Sequence, residues 1–230
     1  MKEPVAADLS GVIAGIKRSL PLALSIFTYG VSFGVLARQA GLSLVEAFLM
    51  SSLVCAGASQ FIALELWHSP LPIATLLLTT LVINLRHILM SASLSPWFLR
   101  LPTWKAYGCF FFLNDESWAL TMAEFAKGKP NAGFLLGTGL MTFVAWVSST
   151  VVGQLLGSTI TDPAQWGLDF AFTAVFIVLL VSLWQGKSNL LPWSVAAIVA
   201  VGAAYWLPGK WYILLGGMAG SIAGMVRDAD

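Results

Sequence analysis

Long apolar stretches, separated by glycine, proline or short charged turns, fill this chain from residue 20 onward, and only the first 19 residues follow another pattern. There Leu9, Val12, Ile13 and Ile16, with Leu20 next, recur at helical spacing opposite Asp8 and Lys17. That spacing predicts an amphipathic helix over residues 1–19, lying on a membrane surface and ending at Lys17 and Arg18. The run that follows leads into further apolar segments rather than a small-residue cleavage site, so it does not read as a cleaved signal peptide.

Eight apolar segments are then expected as membrane-spanning helices, over about residues 20–37, 45–67, 71–97, 106–124, 133–156, 168–184, 190–207 and 211–226. The first carries Gly30 and Gly34 four apart, the fifth Gly133 and Gly137, and the last a stripe of Gly216, Gly220 and Gly224. Small residues at that spacing let helix backbones approach closely, and for the last stripe packing within the chain is expected over capture of a second protein. Trp67, Trp97, Trp104, Trp166, Trp184, Trp193, Trp206 and Trp211 stand near segment ends, as interfacial aromatic belts do. The small and polar run from Ser91 to Trp97 suggests that the third helix is buried there and broken, and a re-entrant segment around residues 90–98 would reduce the count to seven.

Composition confirms that the solvent for these helices is lipid. The 230 residues are 58% hydrophobic and 10% charged, against about 45–50% and about 25% in soluble domains. The chain is thus read as a single all-α polytopic transmembrane domain over residues 1–230, a helical bundle. Net charge is only +1, so no basic surface points to nucleic acid. Cys55 and Cys109 both lie in apolar runs, where a thiol acts as a small hydrophobe, and neither suggests a disulfide or a metal site. With the N-terminus in the cytoplasm, Lys2, Lys17, Arg18, Lys127, Lys129, Lys187 and Arg227 fall inside against Arg38, Arg100, Lys105 and Lys210 outside. The positive-inside rule favours that orientation.

An internal repeat is suggested by segments one to three and five to seven. Each block has a glycine-bearing helix, then an acidic residue opening a long helix that ends in Leu-Trp, then a proline turn and a third helix. Duplicated halves are common in secondary transporters, with the substrate held between them near the bilayer midplane.

Polar residues at membrane depth are the candidate chemistry. Arg86 cannot lose its proton, and a charge at depth costs about 2.5–3.5 kcal/mol on the gentlest insertion scale. Arg86 must therefore snorkel, face water, or pair with Asp115 or Glu116 of the fourth helix. One of those two carboxylates is a candidate carrier of a coupling proton, alongside His87, which titrates near neutrality. Gly57, Ser59 and Gln60, in the run Ala56-Gly57-Ala58-Ser59-Gln60-Phe61, are expected either to glue a close helix crossing or to line a substrate cavity where the helix unwinds. Asn84, Arg86 and Phe111 join them as candidate substrate contacts. No phosphate-binding loop, zinc-protease motif or nucleophile elbow is present, and two histidines are too few for the usual metal centre. No cofactor is expected.

The run Ala56 to Phe61, Asn84-Leu85-Arg86-His87 followed by Met90 to Leu94, Asp115-Glu116 in an aromatic helix, and Leu168-Asp169-Phe170-Ala171 together resemble the AzlC family, the large subunits of bacterial branched-chain amino acid exporters. The resemblance covers essentially the whole chain. It implies a bacterial cytoplasmic-membrane permease that works with a small AzlD-type membrane subunit and exports valine, leucine, isoleucine or, in some relatives, methionine. A zwitterion with an apolar side chain needs a dipole or cation for its carboxylate, an acceptor for its ammonium and a greasy pocket. A channel or permease for another zwitterion or ion, and an intramembrane hydrolase, are the competing functions.

Overall fold

The computed structural model describes residues 6–128, 130–160, 186–207 and 211–228, with residues 165, 167, 170, 173, 177, 180, 181 and 184 between them. Its named elements are all helical: α1 (Leu9–Gln39), α2 (Leu44–Val54), α3 (Gly57–Glu65), α4 (Ile73–Phe98), α5 (Thr103–Phe111), α6 (Asp115–Phe125), α7 (Ala132–Leu156), a 3-10 turn (Lys187–Asn189), α8 (Leu190–Trp206) and α9 (Trp211–Asp228). Helices α1, α4, α7 and the stretch Lys187–Trp206 are each long and apolar enough to cross a membrane alone. Most of the sixth expected segment, including Leu168, Asp169 and Ala171 of its motif, lies outside the described residues.

The frame is the pair α1 and α7. Gly15 packs on the backbone from Phe134 to Thr138, Gly30 on Trp146 and Ser149, and Gly34 on Thr150, Gly153 and Gln154. Gly133, Gly137 and Gly153 return the contact against Asp8, Val12 and Val31. Contacts that advance together along both chains mean that the two helices run in the same direction. At their first ends Asp8 Oδ1 accepts from Gly11 N, Ser10 Oγ and Asn131 Nδ2, and Ala132 N donates to the Ala6 carbonyl. The hydrogen bonds from Ser10, Gly11 and Asn131 hold the Asp8 carboxyl down to about 2, so it stays an ionised cap at any physiological pH.

This pairing corrects the expected surface helix over residues 1–19. Gly11, Gly15, Ser19 and Ala23 form one buried stripe that continues into Ile26 and Gly30. The stripe packs on α7 across the expected boundary, so one helix runs from Leu9 to Gln39, with Lys17 and Arg18 on its exposed face and Pro21 inside it.

Two further expectations are corrected together. The third helix is not broken: α4 continues through Ser91 to Phe98, and no re-entrant segment occurs there. Instead the second and fourth segments are each interrupted, at Cys55–Ala56 and at Phe112–Asn114. The halves are 11, 9, 9 and 11 residues long, or about 14–16 Å each at 1.5 Å per residue. Each break therefore falls about halfway through a hydrocarbon core of about 30 Å. Because α1 and α7 share a direction, an odd number of crossings must join them, and α2–α3, α4 and α5–α6 provide three.

One apolar cluster joins α1, α3 and α7 around Phe33, Phe61 and Trp146, and a second joins α4, α5, α6 and α7 around Leu94, Phe98, Leu113 and Phe125. Leu77, Leu81, Leu85 and Ile88 form an exposed apolar stripe on α4, as a lipid-facing surface requires. In the α8–α9 hairpin, Gly216 and Gly220 sit against Ala196, Ala200 and the Pro192 carbonyl. The glycine stripe thus packs within the chain, as expected.

A methyl group at Gly34 would collide with the Thr150 carbonyl, whereas one at Gly108 meets nothing within 4 Å. Gly34→Ala is expected to destabilise the purified protein by about 1–3 kcal/mol, the usual cost of overpacking, and Gly108→Ala to leave it unchanged or slightly firmer. Thermal unfolding in detergent checks both, and equal midpoints for the two variants would contradict the close crossing.

Candidate functional site

Each break has a local cause. Cys55 ends α2 in the left-handed region at φ 48°, an uncommon conformation for a residue other than glycine. Ala56 follows at φ −138°, and α3 starts at Gly57 without a side-chain cap, leaving its first backbone N–H groups without intrahelical partners. At the second break Asn114 caps α6: its Oδ1 accepts from Ser117 N at 2.8 Å, and Ser117 Oγ accepts from Asn114 N at 2.9 Å. Asn114 Nδ2 then donates to Thr142 Oγ1 at 2.7 Å, tying the break to α7. Asp115 and Glu116 are accordingly first-turn residues of a half-helix, where the helix dipole favours negative charge.

Between the breaks lies a cavity of about 220 Å³. Val54, Cys55 and Ala56 line it from the first break, Phe110, Phe111 and Leu113 from the second, and Asn84 and His87 from α4. Asn84 Nδ2 donates to Ser59 Oγ at 3.4 Å, while Asn84 Oδ1 is buried without a hydrogen-bond partner. His87 Nδ1 lies 3.2 Å from the carbonyl of Asn84, one turn back along α4. The lining therefore combines an amide residue, an imidazole, a thiol and an aromatic wall, and the unpartnered Asn84 oxygen is buried beside it.

Beside this cavity Arg86 Nη2 and Asp115 Oδ2 form an ion pair at 2.9 Å. Arg86 stands at the middle of the 26-residue α4, about 20 Å from either end of the helix, so snorkelling is replaced by pairing across the bundle. Its Nε remains buried and unpartnered. Tyr29 of α1 lies within electrostatic reach of Arg86, Asp115, Glu116 and Cys55.

The structure divides the expected site residues into two groups. Asn84, His87 and Phe111 line the cavity, and Arg86, Asp115 and Glu116 stand next to it. Gly57, Ser59 and Gln60 are not among its lining residues. Gln60 is 1% exposed, and its amide is used up: Oε1 accepts from Trp146 Nε1 at 3.0 Å, and Nε2 donates to Ser51 Oγ at 3.2 Å, which in turn bonds Thr150 Oγ1 at 2.8 Å. Gly57 lies under the Trp146 ring, where a Cβ would come within 3.2 Å. Ser59 donates to the Ala56 carbonyl and reaches the cavity only by holding Asn84. The chain thus breaks just before this run, as the cavity reading expected, and Gln60 ties the half-helix that follows to α7, as the crossing reading expected.

Val54, Cys55, Ala56 and Leu113 were not singled out by the sequence reading. For Asn114 a signal existed, since Asn followed by two acidic residues and then Ser marks a helix start. For Cys55 none did.

The helices and the site define a polytopic membrane protein with a small cavity at mid-depth. Residues 21–160 match the family model described as AzlC protein, and the chain belongs to that family. It is 38% identical over 176 residues to an uncharacterized membrane protein of Archaeoglobus fulgidus, covering 75% of this chain and 76% of that one. It is 29% identical over 182 residues to the inner membrane protein YgaZ of Escherichia coli, with 76% and 74% covered. Similarity to the branched-chain amino acid transport protein AzlC of Bacillus subtilis is 25% over 185 residues, with 78% and 72% covered. No solved structure matches the chain.

Removing one partner of the ion pair strands the other in the membrane. Arg86→Ala and Asp115→Ala are each expected to lose about 1–3 kcal/mol, below the ~3–5 of a fully buried pair because the side chains are 29% and 33% exposed. The double variant is expected to recover part of that loss in a double-mutant cycle read by thermal unfolding. Additive single effects would contradict the pairing.

Proposed function

We propose that the chain is a secondary transporter that exports branched-chain amino acids through the cavity between its two helix breaks. The observation that carries this reading is the cavity itself, placed at mid-depth, with a buried acceptor lacking a donor. Discontinuous helices at the midplane are the recurrent substrate sites of secondary transporters.

The chemistry of a zwitterion suits it. Asn84 Oδ1 accepts from the ammonium, the uncapped N-terminus of α3 faces the carboxylate, and Val54, Phe110, Phe111 and Leu113 surround the side chain. A volume of about 220 Å³ lies below the ~300–1,000 Å³ of drug-sized sites. It suits one amino acid and is small for a peptide or a lipid, which counts against a hydrolase. The Bacillus subtilis relative, whose name specifies branched-chain amino acid transport, supports the substrate class.

Export direction and the small AzlD-type partner follow from the family resemblance, proton coupling from the titratable groups at membrane depth, and all three belong to the same proposal. So does a cytoplasmic N-terminus in a bacterial inner membrane, to which the Escherichia coli relative's name lends support. Glycines 216 and 220 are occupied by α8, so the partner docks elsewhere.

Inverted membrane vesicles containing this chain and its small partner are expected to accumulate labelled leucine, valine or isoleucine when a proton gradient is imposed, and to do so less without either subunit or gradient. In the same vesicles leucine should slow alkylation of Cys55, which lines the cavity, while buried Cys109 stays unreactive. Absence of accumulation of any of these and of methionine, with the pair assembled, would overturn the substrate. Ion conductance without exchange would favour a channel instead.

A further inference from the structure

The charges at mid-depth do not balance. Arg86 contributes one positive charge, and its guanidinium is committed to Asp115 at 2.9 Å. Glu116 follows directly on the same helix, so its side chain leaves the axis about 100° away from that of Asp115. One planar fork cannot face both. Among the described residues no salt bridge closes on Glu116, and the hydrogen bond its carboxylate accepts comes from its own backbone N–H.

The groups around Glu116 offer no second cation. Tyr29 of α1 and Cys55 of the α2–α3 break lie within its electrostatic reach, with Arg86 from α4 and Asp115 from α6 itself, while His87 of α4 lies within reach of Arg86 and Asp115. Helix α7 carries no titratable side chain along its length. An ionised Glu116 therefore leaves the cluster one negative charge in excess, in a place where unpaired charge is expensive. A bound proton cancels that excess, and so does a cation brought into the neighbouring cavity. Cys55, which lines the cavity, is also within electrostatic reach of Glu116.

We propose that Glu116 is the group that takes up and releases the exchanged proton, while Asp115 remains the permanent counter-ion of Arg86. This rests on the transport reading above. The ionised carboxylate favours the substrate's ammonium in the cavity, and protonation neutralises it and favours release. Proton and substrate are then alternatives at one centre, so one enters as the other leaves, which is antiport. No covalent step is involved: the proton adds to a carboxylate oxygen and returns to water.

The test uses the full chain purified in detergent and reconstituted with its partner. In wild-type protein leucine affinity should fall as pH is lowered, by up to about tenfold per pH unit, the limit for competition with one proton. In Glu116→Gln, which mimics the protonated form, leucine affinity should be fixed at the weak level that wild-type protein approaches in acid, with no pH dependence, and gradient-driven accumulation should fall at least about tenfold. His87→Asn should keep the pH dependence. Infrared difference spectra between about pH 8 and about pH 5 read the site without transport: a protonated-carboxyl band should be lost in Glu116→Gln and kept in Asp115→Asn. If the band survives in Glu116→Gln, if that variant still accumulates leucine on a gradient, or if only His87→Asn uncouples, Glu116 is not the proton carrier. Leucine binding by Glu116→Gln as tight as that of wild-type protein at about pH 8, or still weakening in acid, would also overturn the proposal. A wild-type protein that shows the band but moves no amino acid would instead sink the transport reading and leave the proton site standing.

Discussion

A guanidinium that cannot be neutralised sits at the centre of a membrane-crossing helix, and the rest of the site follows from accommodating it. Arg86 lies too deep to reach an interface, so a carboxylate must come to it. A carboxylate at that depth is itself costly unless something else stabilises it. The start of a half-helix does so, because the N-terminal dipole and free N–H groups favour negative charge. The break before Asp115 thus has an electrostatic use beyond geometry: it aims the positive end of α6 at the one place where an anion must rest. Asn114 makes that break durable by capping α6 and by bonding Thr142 on α7.

Two interrupted helices could not hold such a site by themselves. Irregular backbone at membrane depth is tolerated only where protein or a cavity satisfies it. Here α1 and α7 form the unbroken wall behind the breaks, in contact so close that small residues are required at Gly15, Gly34, Gly137 and Gly153. Trp146 connects the wall to the first broken helix through Gln60 and packs against Phe33 and Tyr29 of α1. The two broken helices lean on this close-packed pair and meet around the cavity.

The sequence made some of this plain. Apolar runs fixed which stretches cross the membrane, because hydropathy over about 20 residues is a direct measure of what lipid tolerates. The expense of Arg86 made the carboxylates of the fourth segment one of three ways to accommodate it, beside snorkelling and water, and glycines four apart marked the close crossings. The breaks stayed hidden for a physical reason. Half-helices need apolar faces as much as whole ones do, so a two- or three-residue interruption leaves the hydropathy of the run intact. Gln60 was ambiguous for another reason: an amide among small residues suits both a substrate and a crossing helix, and only the position of Trp146, 86 residues away, decides. Residues 1–19 misled because exposed Lys17 and Arg18 resemble the end of a surface helix, although the buried stripe beneath them does not stop.

The central claim is that the cavity between the breaks, with Asn84 in its lining, holds the transported amino acid. Equilibrium binding of labelled leucine to purified wild-type protein and to Asn84→Leu, with thermal unfolding recorded on both, tests it most directly. The account predicts that the variant keeps its fold and loses at least about tenfold in affinity, as expected when a charge-assisted hydrogen bond to a buried group is removed. Unchanged affinity in a well-folded Asn84→Leu protein would contradict it.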